Sequence, residues 1–301
     1  MTHLRSTDRV HPRADTSNMD GRITWMPVKT FWLLGHGLAG LAGVVLFPSV
    51  GAAAVFVVLT GVTICAGHSV GMHRLLIHRS FSTFRPVEYL LVWLGVLVGM
   101  AGPFGMIRAH DMRDWHQRQE NCPPHPSHGA GFWRDAWWQL CCEFRLNRPP
   151  QLVIEPSVAD SRFCRAVERS WMAQQLVLAV PLYLLGGWAW VLWGCSLRVF
   201  VSLVGHWAVG HYAHRRGYQS WLAPDMSVQG YNLPGLGLLT FGENWHGNHH
   251  AFPYSARLGV SQGQSDPGYL LIRVLRGLGL AWDVKLPGAH PDRDARLQVV
   301  D

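Results

Sequence analysis

Charge is what this sequence has least of: 15% of its 301 residues are Asp, Glu, Lys or Arg, against 49% hydrophobic ones. That balance points away from soluble domains and toward the membrane. Between Thr30 and Met72 there is no charged residue at all, and Met172 to Leu197 is a second charge-free stretch. Other absences narrow the chemistry. Six cysteines (65, 122, 141, 142, 164 and 195) show no CxxC spacing, and the vicinal Cys141-Cys142 pair has poor disulfide geometry, so they are expected to be structural or incidental. No internal repeat, no phosphate-cradling glycine loop, no Ser-His-Asp arrangement and no pair of catalytic carboxylates stands out. A cleaved signal peptide is not expected, because the apolar region runs well past any cleavage site.

The charge-free stretches are long enough for helices that cross a bilayer. Thr30 to Met72 reads as two spans folded back at Pro48-Ser49-Val50-Gly51. Met172 to His211, interrupted only by Arg198, reads as a second hairpin turning near Gly194-Cys195-Ser196. A third apolar run, Tyr89 to Ile107, is expected to stay buried or interfacial, bent at Gly102-Pro103, because spanning would put the histidines on its two sides across the membrane from each other. Lys and Arg number five before Thr30, twelve between Ser69 and Ser170, and eight after His214, leaving Arg198 for the other side. Both termini and the central loop are therefore expected in the cytoplasm. The net charge of +7 follows from that bias, and also suits anionic headgroups or an anionic acyl carrier. Residues 1–29 are expected to be disordered, 30–286 to form the membrane domain, and 287–301 to be a flexible tail.

Histidine is what the sequence has in excess. His246, His249 and His250 fall at i, i+3 and i+4, one face of a helix, and neutral imidazole is the commonest ligand for transition metals. His73 and His78 are five apart, about 140° around a regular α-helix, so they serve two ions or one ion across a bend. The pair lacks the Glu of a zinc protease motif. His110 and Asp114, at i and i+4, can reach one metal. Arg113 is expected to pair with Asp111 or Asp114, and Glu243 to support a ligand imidazole. His214 sits at the cytoplasmic end of the second hairpin. His116, His125 and His128 are reserve candidates, while His206 and His211 are expected to hydrogen-bond within the bundle, and His36 and His68 to sit in the core or support a ligand. Glu243-x-x-His246 occurs once, where a carboxylate di-iron bundle needs the motif twice.

Taken together, the His73-to-His78 box, the His246-Gly-Asn-His-His box with its Gly242-Glu243 lead and Ala251-Phe252-Pro253 follow-on, and His214-x-x-Gly217-Tyr218 resemble the membrane fatty acyl desaturases of the stearoyl-CoA desaturase type. The likeness extends to Ser255-Ala256-Arg257-Leu258-Gly259 and to Asp266-Pro267-Gly268-Tyr269. It implies an all-α polytopic membrane protein, four transmembrane helices in two hairpins beneath a cytosolic helical cap carrying a di-metal site. It further implies two iron ions, O2 as co-substrate, and a double bond introduced into a fatty acyl chain that is CoA-, carrier- or lipid-linked. No cytochrome or ferredoxin domain accompanies the chain, so electrons are expected from a separate donor such as ferredoxin or a cytochrome b5-like protein; nucleic acid is not an expected partner. Carried over by motif, His73, His78, His110, His214, His246, His249 and His250 are the iron ligands. Aromatic residues of the hairpins (Phe31, Trp32, Trp188, Trp190 and Trp193) read by default as an interfacial belt, with lining the chain tunnel as the alternative.

Two departures stand out. The family's second box has three histidines, and here the frame reads His110-Asp111-Met112-Arg113-Asp114, in which Asp114 can take one vacated place. The Asn expected four residues before His214 is Gly210. Same-scaffold hydroxylation and a non-catalytic metal-binding homologue stay open as alternatives.

Overall fold

The computed structural model describes residues 9–300. The chain is mostly helical, with four two-stranded antiparallel ribbons pinning the loops, so the all-α expectation holds for the body and not for its edges. Three helical stretches are long and apolar enough to cross a membrane: Pro27–Leu46, Val50–Ile77 and Gln174–Ala213. Their outer faces expose Phe31, Leu38, Val57, Leu176, Leu184 and Trp188, an apolar belt that water does not favour.

Helices α1 (Pro27–Leu46) and α2 (Val50–Ile77) meet at the expected turn, where Ser49 accepts a hydrogen bond from the Ala52 N–H and caps α2. The second turn lies elsewhere than expected. Gly194, Cys195 and Ser196 are helical and buried, and the axis breaks instead at Gly186 and Gly187. Gly187 has φ +61° and ψ −157°, a conformation essentially reserved for glycine. Arg198 Nη2 donates to Gln175 Oε1 at 2.6 Å, across 23 residues. A straight helix would hold them about 35 Å apart, so the chain doubles back between them. Arg198 is thus no outer-loop cation. It is wholly buried in the bundle and also donates to the Leu97 and Gly194 carbonyls, which makes its charge tolerable there.

The lower half of α2 positions the chemistry. From Thr63 to Ile77 it is wound as a π-helix, with the His78 N–H bonding the His73 carbonyl at 3.0 Å, an i to i+5 link. Against it lies α3 (Arg85–Leu97), too short to span, followed by a break and then α4 (Pro103–Gln117). Gly67 and Gly71 let α3 approach to backbone contact: a Cβ on Gly71 would stand 2.4 Å from the Leu91 carbonyl oxygen. Two apolar cores flank this segment, one around Met72, Leu76, Val92 and Ile107, the other around Val70, Leu75, Leu91 and Ile272.

Residues 9–29 and 287–300, expected to be disordered or flexible, pair with the body of the fold; residues 1–8 and 301 lie outside the described residues. Gly21–Trp25 pairs with Cys142–Leu146, and Val10–His11 with Gln151–Leu152. Arg9 is completely buried, bonded to Glu155 at 2.8 Å and Asp111 at 3.2 Å. Partners distant in sequence supply what the polar composition of this segment hid. The tail is docked in the same way: Gln298–Val299 pairs with Trp221–Leu222, and Arg293 bonds the carbonyls of Ala251 and His250.

Candidate metal centre

Seven imidazoles converge in two adjoining groups. His73 and His78 from α2, His110 from α4 and His249 form the first; His214, His246 and His250 form the second. Within each group the ligand atoms lie within 4.8 Å of one another. His246, His249 and His250 share one helix, α5 (His246–Ala251), whose single turn feeds both groups. Its i and i+4 members face the second group, and its i+3 member faces the first.

The π winding answers the 140° objection raised for His73 and His78. An i to i+5 hydrogen bond stacks residues five apart, and their rings lie 4.8 Å from centre to centre, in the same group. One ion can therefore see both.

The charge state suits a cation. His78 Nε2 stands 3.1 Å from His110 Nε2, His246 Nε2 3.3 Å from His214 Nε2, and His250 Nε2 3.0 Å from His246 Nε2. Burial and neighbouring imidazoles hold His78, His214, His246 and His249 well below the ordinary histidine range; burial takes His250 down to about 4. Neutral, converging ring nitrogens are the ligating form. His110 goes the other way: burial lowers it, but Asp114 and Asp111 more than offset that and raise it. A nitrogen-rich set of this kind suits iron, zinc, copper or nickel and is poor for magnesium or calcium. The residues present therefore fit a pair of transition-metal ions.

Partners on the far side of the rings orient them. Glu243 Oε2 lies 2.7 Å from His73 Nδ1, while its Oε1 accepts from Ser69 Oγ at 2.6 Å. Burial pushes the Glu243 carboxyl up, yet His73 and Arg74 outweigh it and hold the group ionised far below the usual range. Asp111 Oδ1 meets His110 Nδ1 at 3.2 Å, and its other oxygen meets Arg9. His214 Nδ1 donates to the Gly210 carbonyl at 2.8 Å, which makes Nε2 the nitrogen with a lone pair, and the Gln117 amide nitrogen stands 3.0 Å from it.

Asp114 and Arg113 do not sit where the sequence put them. Asp114 belongs to neither group: its Oδ2 is 3.9 Å from His110 on the Nδ1 side, and 3.6 Å from Arg118. Arg113 pairs with neither Asp111 nor Asp114 but donates to Gln139 Oε1 at 2.8 Å, because Asp111 is already engaged by Arg9. His211 does hydrogen-bond inside the protein, to Asp135, whereas His68 and His206 make a ring contact at 4.8 Å and His36 packs on Trp32. Asp111, Asp135 and Arg9 were missed. Asp111 follows a ligand directly, which is a usable signal; Arg9 meets Asp111 and Glu155 across 102 and 146 residues, and Asp135 meets Trp207 and His211 across 72 and 76, where local pattern is silent.

Comparison with known proteins gives one consistent answer. The profile of the family described as Fatty acid desaturase matches residues 48–261. The sn-1 stearoyl-lipid 9-desaturase of Synechocystis is 33% identical over 243 residues, which is 80% of this chain and 73% of that protein. The sn-1 stearoyl-lipid 9-desaturase of Anabaena variabilis is 32% identical over 88% of this chain and 95% of its own length. Acyl-CoA 5-desaturase AL21 of Anemone leveillei is 31% identical over 76% and 71%.

Proposed function

This chain belongs to the fatty acid desaturase family, and from that premise we propose that it is an integral membrane, O2-dependent di-iron enzyme that introduces a double bond into a fatty acyl chain. It is an oxidoreductase. The observation that carries the reading is the pair of buried imidazole groups fed by one turn of α5. When bound, the irons supply with O2 an oxidant able to take hydrogen from an unactivated CH2, which side-chain acids and bases cannot do.

The protein's own residues hold this centre in shape. His73, His78, His110 and His249 are the ligands of one ion, and His214, His246 and His250 of the other. Glu243 fixes the tautomer of His73, Asp111 steadies His110, and Gly210 does the same for His214 through its carbonyl. The helices cross the bilayer four times, since the longest apolar stretch doubles back at Gly186–Gly187. The positive bias of the loops supports termini and metal centre on the cytoplasmic side, where ferredoxin or a cytochrome b5-like protein delivers electrons. Relatives named for lipid-linked and for CoA-linked substrates both match, so the proposed substrate is a fatty acyl chain on either carrier.

Expression in a host of known lipid composition, followed by mass spectrometry of its fatty acids, tests the proposal. A new cis double bond, lost in His249→Ala, is the expected result. A hydroxylated chain would move the assignment to an oxygenase, and unchanged lipids with reducing partners present would reject catalysis on fatty acids.

A further inference from the structure

The two histidine groups are unequal: four imidazoles face one ion and three the other. We propose that His128, from the loop before helix Phe132–Cys141, is the fourth protein ligand of the second ion, binding through Nε2. This rests on the reading that each group holds an ion.

Four observations converge on that nitrogen. His128 is 1% exposed, and its Nε2 is buried without a hydrogen-bond partner. Its other nitrogen is committed, with Nδ1 2.9 Å from Asp135 Oδ2. An ionised carboxylate only accepts, so Nδ1 carries the proton and Nε2 presents a lone pair. The ring lies 5.1 Å from that of His214 and within 19° of its plane, a spacing inside the 4.4–5.3 Å range that His214, His246 and His250 show among themselves. Finally, the tip of His128 fills the space of a missing side chain. A Cβ on Gly210, one turn before His214 on the same helix, would stand 3.3 Å from His128 Nε2. Glycine at 210 thus leaves a slot on the ligand face of the helix, and a loop histidine occupies it.

Competing assignments fail on chemistry. Asp135 Oδ2 receives His128, His211 at 2.8 Å and the Trp207 Nε1–H at 2.9 Å. Three donors fill its lone pairs, so His128, Asp135 and His211 form a hydrogen-bond hub that aims imidazoles, not a third ion site. Gln117 approaches His214 Nε2 at 3.0 Å, but with the amide nitrogen that also donates to the Pro126 carbonyl. An N–H donor cannot bind a cation. Arg113 carries a permanent positive charge, and Asp114 faces the Nδ1 side of His110.

The test is metal stoichiometry in the purified full-length protein, grown on 57Fe and read by elemental analysis and Mössbauer spectroscopy. Wild type should carry two irons per chain, and His128→Ala one, with a single remaining iron signal. His125→Ala, a nearby loop histidine bonded to the Trp138 carbonyl, should keep two. Asp135→Asn, which disturbs a positioning residue, should weaken the second ion by about 10- to 100-fold. Two irons with unchanged spectra in a folded His128→Ala overturn the assignment and leave the two-ion reading standing. Fewer than two in wild type overturn both. Because alanine also removes packing from the loop, His128→Cys loaded with cobalt gives a positive readout. A thiolate-to-cobalt charge-transfer band absent from wild type supports ligation, and its absence overturns it.

Discussion

Arg9 shows how much a single side chain can carry. It bonds Glu155 through two nitrogens, reaches Asp111, and donates to the carbonyls of Ile77 and Leu76 at the end of the π segment. Glu155 has a second cation in Arg79, whereas Asp111 has Arg9 as its one permanently charged partner among the described residues, His110 being charged only when protonated. Replacing Arg9 by Met should therefore cost about 3–5 kcal/mol, most of it from the stranded Asp111 charge. Chemical denaturation of Arg9→Met, Asp111→Asn and the double variant checks this: the double variant should recover much of the loss, and strict additivity would sink the coupling. Asp111 also touches His110, so iron content should fall in Arg9→Met alongside stability. Glu243→Gln belongs to the same scale. It keeps the volume but removes the charge beside His73, and should lower affinity for the first ion about 10- to 100-fold in a competition assay against a chelator. Of these residues Glu243 was legible, because it leads directly into a histidine box. Arg9 was not, because a cation in a polar N-terminal segment looks like any solvated one until its partners, 102 and 146 residues away, are known.

At the scale of elements, the sequence reported periodicity well and winding badly. The i, i+3, i+4 pattern of His246, His249 and His250 survives in the fold because those residues are ordinary helix. The pattern of His73 and His78 reads as 140° apart only under α geometry, and nothing in the residue types announces an i to i+5 register. The second hairpin was misplaced for a different reason. Arg198 suggested a loop, while Gly186-Gly187, the actual break, lies in an unremarkable apolar run. Glycine also decides how α3 reaches the site. Gly71→Ala places a methyl 2.4 Å from a backbone oxygen that has no rotamer to give, so α3 must move away from α2. The expected cost is about 1–3 kcal/mol, seen as a lower melting temperature in detergent, together with loss of iron from the first group. Unchanged melting and full iron would mean that α3 is not what fixes His73 and His78.

For the whole molecule, the consequence of burying so many neutral histidines is sensitivity to acid. Burial lowers His116 to about 4, and burial with Arg113 and Lys29 nearby lowers His125 to about 3, against about 6.5 in an unfolded chain. Between those limits the unfolded state binds the extra protons, so stability rises with pH and is lost on acidification. Each such group contributes a slope of about 1.4 kcal/mol per pH unit in that window. Glu155 acts lower down: burial raises its carboxyl, but Arg9 and Arg79 hold it below its ordinary value, so its stabilisation is present above about pH 4.5 and lost only beneath it. The chain already carries +7, and every proton taken up adds to that self-repulsion. Chelator-treated protein should therefore lose melting temperature steadily from pH 6.5 to 4.5. His125→Asn should remove part of that slope while leaving the melting temperature at pH 7.5 within a few degrees. A flat profile over this window would mean that these histidines are solvated, and that burial is not what keeps the imidazoles of the metal centre neutral.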